Sequence, residues 1–144
     1  MKVFVLLFIT VFLASCSANK VYKIPESLVI DGDDIKLEIV SLVSGSRDTN
    51  YILSVGITNK TDKITNFDSS DIELIDTVSG VSMYSISKNS SEISLSFYST
   101  NIITATDISP HRKISGYILF PTGYEKAGSD ELKILYNNKE YFFR

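Results

Sequence analysis

One cysteine, one histidine and two short runs of aspartate are the residues of this 144-residue chain whose types could carry chemistry. Cys16 follows Leu13-Ala14-Ser15 and closes a stretch in which Val3 to Leu13 is apolar apart from Thr10. It offers a sulfur nucleophile, and as the only cysteine it can form no intramolecular disulfide. His111 lies in Ser109-Pro110-His111-Arg112-Lys113. A catalytic histidine needs a nucleophile and an orienting acid within reach. No Gly-x-Ser-x-Gly elbow supplies the nucleophile, so a solvated loop histidine is expected. Asp31, Asp33 and Asp34, or Asp68 and Asp71, could offer oxygens to calcium. Neither run completes an Asp-x-Asp-x-Asp-Gly loop with a distal glutamate, so turn and cap chemistry is expected of both. One histidine and one cysteine are too few for a zinc site. The expectation is a chain with no catalytic residue, no metal and no cofactor, and not an enzyme.

The surroundings of Cys16 read as an export signal. Lys2 gives a positive start, Val3 to Leu13 an apolar run, and Ala14 and Ser15 the small residues of a cleavage site. As a helix the run reaches roughly 16 Å, about half of a ~30 Å hydrocarbon core, which is too short to span. Leu13-Ala14-Ser15-Cys16 also resembles the lipobox of bacterial lipoproteins. That resemblance implies diacylglycerol on the Cys16 sulfur, removal of residues 1–15 and acylation of the new amino terminus. Two or more acyl chains hold a protein stably on a membrane where one does not. Ser17, rather than aspartate, follows Cys16. The resemblance then implies the outer membrane where the cell has two membranes, and the cell membrane otherwise.

Without residues 1–15 the chain keeps 129 residues, enough for one domain with one core. The signal carries one lysine and no acid, so the remaining 13 basic and 17 acidic residues leave a net charge of −4. That excludes the basic stripe of a nucleic-acid binder and a polybasic dock on anionic lipid. Asn59-Lys60-Thr61 and Asn89-Ser90-Ser91 match a glycosylation sequon but read as turns.

Residues 16–25 read as a lipidated tether and 26–144 as the folded domain. Lys20 to Ile24 alternates like an edge strand that Pro25 ends. Ile35 to Ile39 alternates with period two, and Val40 and Leu42 fall on the opposite phase, as a bulge would make them. Tyr51, Leu53, Val55 and Ile57 fill one face of the clearest strand. Ile64 and Phe67 are expected to return to the core, ahead of a strand from Asp71 to Asp76. Residues 79–99 are serine-rich and read as a strand pair with a hydroxyl-covered outer face. Ile114, Gly116, Ile118 and Phe120 share one phase of a strong strand. Asn137-Asn138-Lys139 separates two strands as a tight hairpin turn. Sustained 3.6-residue periodicity is missing. Short strands with turn signals every eight to twelve residues indicate an all-β antiparallel sandwich.

Two stretches resemble a known family. Tyr51 to Asn59, then Ser69-Ser70-Asp71-Ile72-Glu73-Leu74-Ile75-Asp76, is similar to the first half of the DUF4352-type immunoglobulin-like domain. Ile108 to Pro121 is similar to its second half, with His111-Arg112 where Gly-Glu is usual. The resemblance implies an immunoglobulin-like sandwich of about seven or eight strands over residues 28–143, and no catalytic residues to transfer. Tyr117, Tyr136 and Tyr141 stand out as a candidate interaction surface, because tyrosine offers area plus a hydroxyl. The expected role is a non-enzymatic interaction module of the cell envelope. It would hold the membrane through Cys16 and bind a protein or an envelope polymer. The alternative is a structural component of an envelope or secretion machine.

Overall fold

In a computed structural model, residues 21–22, 28–44, 50–86, 101–121 and 131–143 are described. The lipobox, Cys16, Pro25 and the serines of 87–100 lie outside them. Eleven strands occur among the described residues: β1 (Val21–Tyr22), β2 (Leu28–Asp31), β3 (Ile35–Ser44), β4 (Asn50–Asn59), β5 (Thr65–Phe67), β6 (Glu73–Asp76), β7 (Ser82–Tyr84), β8 (Thr106–Ile108), β9 (Lys113–Pro121), β10 (Leu132–Tyr136) and β11 (Lys139–Phe143). The count exceeds the expected seven or eight because β1, β5, β7 and β8 are pieces of two or three residues. Such pieces are too short to show a period.

The first sheet runs β3-β4-β9, with β1 and β2 both paired to the outer edge of β3. The second runs β11-β10-β6-β7. All these pairings are antiparallel. The order β3-β4-β9 against β11-β10-β6, with β7 beside β6, is the A-B-E against G-F-C order of an immunoglobulin sandwich, with a C′ strand added. The expected all-β antiparallel sandwich is the observed fold.

Period-two patterning builds the core as expected. Tyr51, Leu53, Val55 and Ile57 of β4 lie opposite Phe120, Ile118, Gly116 and Ile114 of β9, on the inner face. Leu74, Leu132, Ile134 and Phe143 line the facing sheet and are buried. Each such side chain contributes about 1.5–3 kcal/mol by leaving water. The phase change in β3 is a bulge: the register jumps between Ile39 and Ser41, and Val40 is extruded to 69% exposure while Leu42 returns to the core. Asn137 and Asn138 both take positive φ, 50° and 58°, the two-residue turn that matches strand twist.

Two expectations need correction. Ile64 is 68% exposed, and only Phe67 reaches the core. Residues three apart in extended chain point to opposite faces, so 65 and 67 share the inward phase and 64 cannot. The strand expected from Asp71 starts at Glu73, because Ser69–Asp71 is one turn of 3-10 helix capped by Asp68.

Gly116 belongs to the inward phase of β9 for a reason of space. Residues 101–103 run beside the β9 edge, where Tyr117 N–H donates to Asn101 O (2.9 Å) and Ile103 N–H to Tyr117 O (2.8 Å). A Cβ on Gly116 would sit 2.3 Å from Asn101 O and 2.9 Å from the Ile103 side chain. Gly116→Ala is therefore expected to lower stability by about 2 kcal/mol in urea unfolding, while Ser115→Ala on the exposed face leaves it unchanged.

Candidate functional site

Three turns meet at one end of the sandwich, around the side chain of Asn59, which is fully buried. Its Nδ2 donates to Lys63 O (2.7 Å), Ile108 O (2.9 Å) and, more weakly, Ser109 O (3.2 Å). Its Oδ1 accepts from Thr61 N–H (2.8 Å) and faces the hydroxyls of Thr61 (2.9 Å) and Thr65 (3.2 Å). Its own N–H donates to Arg112 O, and the next N–H, that of Lys60, donates to Asp34 O. The Asn59 side chain thus joins the end of β8 and the turn after it to the turn after β4, and the adjacent Lys60 N–H ties in the turn after β2. Sequence reading placed Asn59 at a strand end and at the start of a polar turn, not in the interior. Its burial follows from β5 and β8 folding over it, which no local pattern displays.

His111 stands at the tip of the turn after β8, with φ +54°. This is left-handed backbone, which favours glycine. His111 Nε2 lies 2.7 Å from Asp62 Oδ1, both side chains being mostly in solvent. The candidate calcium runs are engaged in turn chemistry. Asp31 accepts from Lys60 Nζ at 2.8 Å, and Lys60 also donates to Gly32 O. Asp68 accepts from the N–H and hydroxyl of Ser70. Among the described residues no three His, Cys, Asp or Glu side chains converge as metal ligands would.

The outer face of the first sheet carries a charge cluster. Glu38 pairs with Lys36 (3.0 Å) and with Lys113 across the sheet. Gly56 lies between them. A Cβ there would come within 2.7 Å of Lys113 Cε, so the glycine makes room for the bridging lysine.

The three tyrosines do not come together. Tyr117 lies half-buried on the outer face of the first sheet, opposite Ser54. Tyr136 and Tyr141 belong to the second sheet and face the core, Tyr136 being only 6% exposed. Their inward phase comes from the hairpin register, which pairs Tyr141 with buried Ile134. The exposed aromatics of that sheet are instead Tyr84 and Phe142, on its outer face.

No protein-family model matches the chain, and no curated protein matches it significantly in sequence. Two solved structures are similar in fold. One is the yjhA protein from Bacillus subtilis, with TM-score 0.55 and 11% identity over 79% of this chain and 93% of that one. The other is a functionally unknown protein from Listeria monocytogenes EGD-e, with TM-score 0.54 and 12% identity over 83% and 74%. At that identity the likeness is one of fold alone.

The Asn59 knot can be separated from its packing. Asn59→Asp keeps the shape but replaces two donors by a carboxylate that faces carbonyl oxygens. Both Asn59→Asp and Asn59→Ala are expected to cost about 3 kcal/mol or more in urea unfolding, against the few tenths expected of an exposed turn residue.

Stability should also fall at both pH extremes. Ser70 holds the Asp68 carboxyl below the usual range, chiefly through its N–H, and Lys60 and Lys113 do the same for Asp31 and Glu38, chiefly by hydrogen bonding. A carboxyl lowered in the fold contributes above its unfolded value and loses that contribution as pH falls. Burial raises the Tyr136 phenol, whose contribution is lost as pH climbs past about 10. Urea midpoints should therefore hold through neutrality and drop below about pH 4. Asp68→Asn keeps the capping oxygen without the titration, and its acid limb should be shallower.

Proposed function

We propose that the chain is a lipid-anchored protein of the bacterial cell envelope whose sandwich is a non-enzymatic interaction module. One observation carries the reading: Leu13-Ala14-Ser15-Cys16 ends a charged-then-apolar leader and stands only five residues ahead of the first described strand, at Val21. An acylated Cys16 at that distance holds the domain close to a bilayer. The outer membrane is its place where there are two membranes, and the cell membrane otherwise. Kinship with the DUF4352-type domain is supported by Asn59 at the end of its strand and by the left-handed residue in the turn before β9. The partner is a protein or an envelope polymer. The three turns around Asn59 and the outer faces of the sheets are the surfaces on offer.

Cell fractionation and intact mass test the anchor. Wild-type protein should sit in the membrane fraction with a mature mass that starts at an acylated Cys16. Cys16→Ser should leave the membrane fraction or remain unprocessed. A processed Cys16→Ser protein still on membranes would overturn the reading. Crosslinking in intact cells then separates roles, since a fixed-stoichiometry large complex marks a structural component rather than a binding module.

A further inference from the structure

The exposed apolar side chains are not spread evenly over the sandwich. Ten-residue β3 runs from Ile35, beside the Asn59 turns, to Ser44 at the opposite end. β1 pairs with that opposite end, Val21 lying across from Val43. The chain therefore joins the domain about 27 Å from the Asn59 turns, at ~3.4 Å per residue along β3. The second sheet has the same two ends. A Cβ on Gly32 would lie 3.8 Å from Asn137 Nδ2, so the β10–β11 turn sits at the Asn59 end. The far ends of that hairpin, Leu132 and Phe143, pair with each other, and Leu132 also pairs with Asp76. The β6–β7 turn that follows Asp76 is thus at the Val21 end.

Of eight large apolar residues that are exposed among the described residues, four lie at that end: Val21 (66%), Val78 (76%), Val81 (43%) and Phe142 (56%). Turn tips favour Gly, Asn, Asp and Ser, and water gives no reason for valines here. The tip is well ordered by hydrogen bonds. Asp76 Oδ1 accepts from the N–H groups of Val78 (2.8 Å) and Ser79 (3.2 Å), and Gly80 N–H donates to Asp76 O. Phe142 lies under Lys133 Nζ, 6.0 Å from the ring centroid, and Lys133 also holds Glu140 at 2.8 Å. Cys16 to Val21 is five residues and reaches at most about 18 Å, so a lipid on Cys16 brings this end to the bilayer before any other.

We infer that the Val21 end is a lipid-docking surface, on which the β6–β7 turn and Phe142 enter the headgroup region and leave the Asn59 turns facing away from the membrane. The inference rests on acylation of Cys16. The ligand is a zwitterionic lipid surface. Asp76 and Glu131 flank the apolar tip, and anionic lipid would repel them.

The chain contains no tryptophan, so single reporters can be placed. Full-length lipidated Val78→Trp, Phe142→Trp and Ile64→Trp proteins are reconstituted into phosphatidylethanolamine-rich vesicles whose acyl chains carry a nitroxide quencher. Emission of the first two should fall about twofold or more, as expected of side chains at the headgroup–acyl boundary, while the reporter at position 64 keeps its emission. Equal quenching of all three, or none at positions 78 and 142 in protein whose Cys16 acylation is verified by intact mass, overturns the docking surface alone. Emission at 78 and 142 that follows protein density rather than quencher means a second copy covers the face, and also overturns it. An unmodified Cys16 removes the anchor and the docking together.

Discussion

A single buried amide holds the organised end of this protein. Asn59 presents donors to carbonyls of the turn after β4 and of the end of β8 and an acceptor to the turn after β4, so two turns share one centre, and the adjacent Lys60 N–H adds the turn after β2. Burial of an unpaired amide costs on the order of 1–3 kcal/mol, and each of its partners would be orphaned with it. The arrangement is therefore close to all-or-none. Any backbone path that fails to bring Ile108 and Lys63 to Asn59 leaves several polar groups buried without partners. The long β3-β4-β9 sheet, by contrast, rests on apolar area that tolerates exchange of one side chain for another of similar volume.

That constraint gives the sandwich two unlike ends. At the Asn59 end the turns are polar, tied by ion pairs such as Lys60 with Asp31, and closed by the Asn137-Asn138 turn. At the other end the chain joins through β1, and a hydrogen-bonded turn presents valines to solvent. On the lipid tether proposed for Cys16, the domain would meet the membrane with one end and its surroundings with the other. The distribution of exposed side chains follows the same axis.

The turn before β9 shows a backbone conformation set by its hydrogen-bond partners. His111 occupies left-handed backbone, a conformation that favours glycine, at an expense of about 1–2 kcal/mol in steric strain. The turn's carbonyls, at Ile108, Ser109 and Arg112, are held by the Asn59 side chain and backbone. The backbone conformation is thus dictated by its partners rather than by the residue at the tip.

Fold class and most of the core were legible in the sequence, because side chains alternate with period two along β3, β4, β9, β10 and β11, and because Asn-Asn specifies a two-residue turn. The break in β3 was legible as a bulge for the same reason. The export signal expected over residues 1–15 rests on linear pattern alone and lies outside the described residues. What only the tertiary structure decided is which phase faces inward where both are apolar, and which distant segments meet. Tyr136 and Tyr141 are interior because the register sets them beside Ile134 and the core. Asn59 is central because residues 49 and 50 positions away bring their carbonyls to it. The grouping of Val21, Val78 and Phe142 at one end is likewise a property of strand direction and pairing, quantities that composition and local periodicity do not contain.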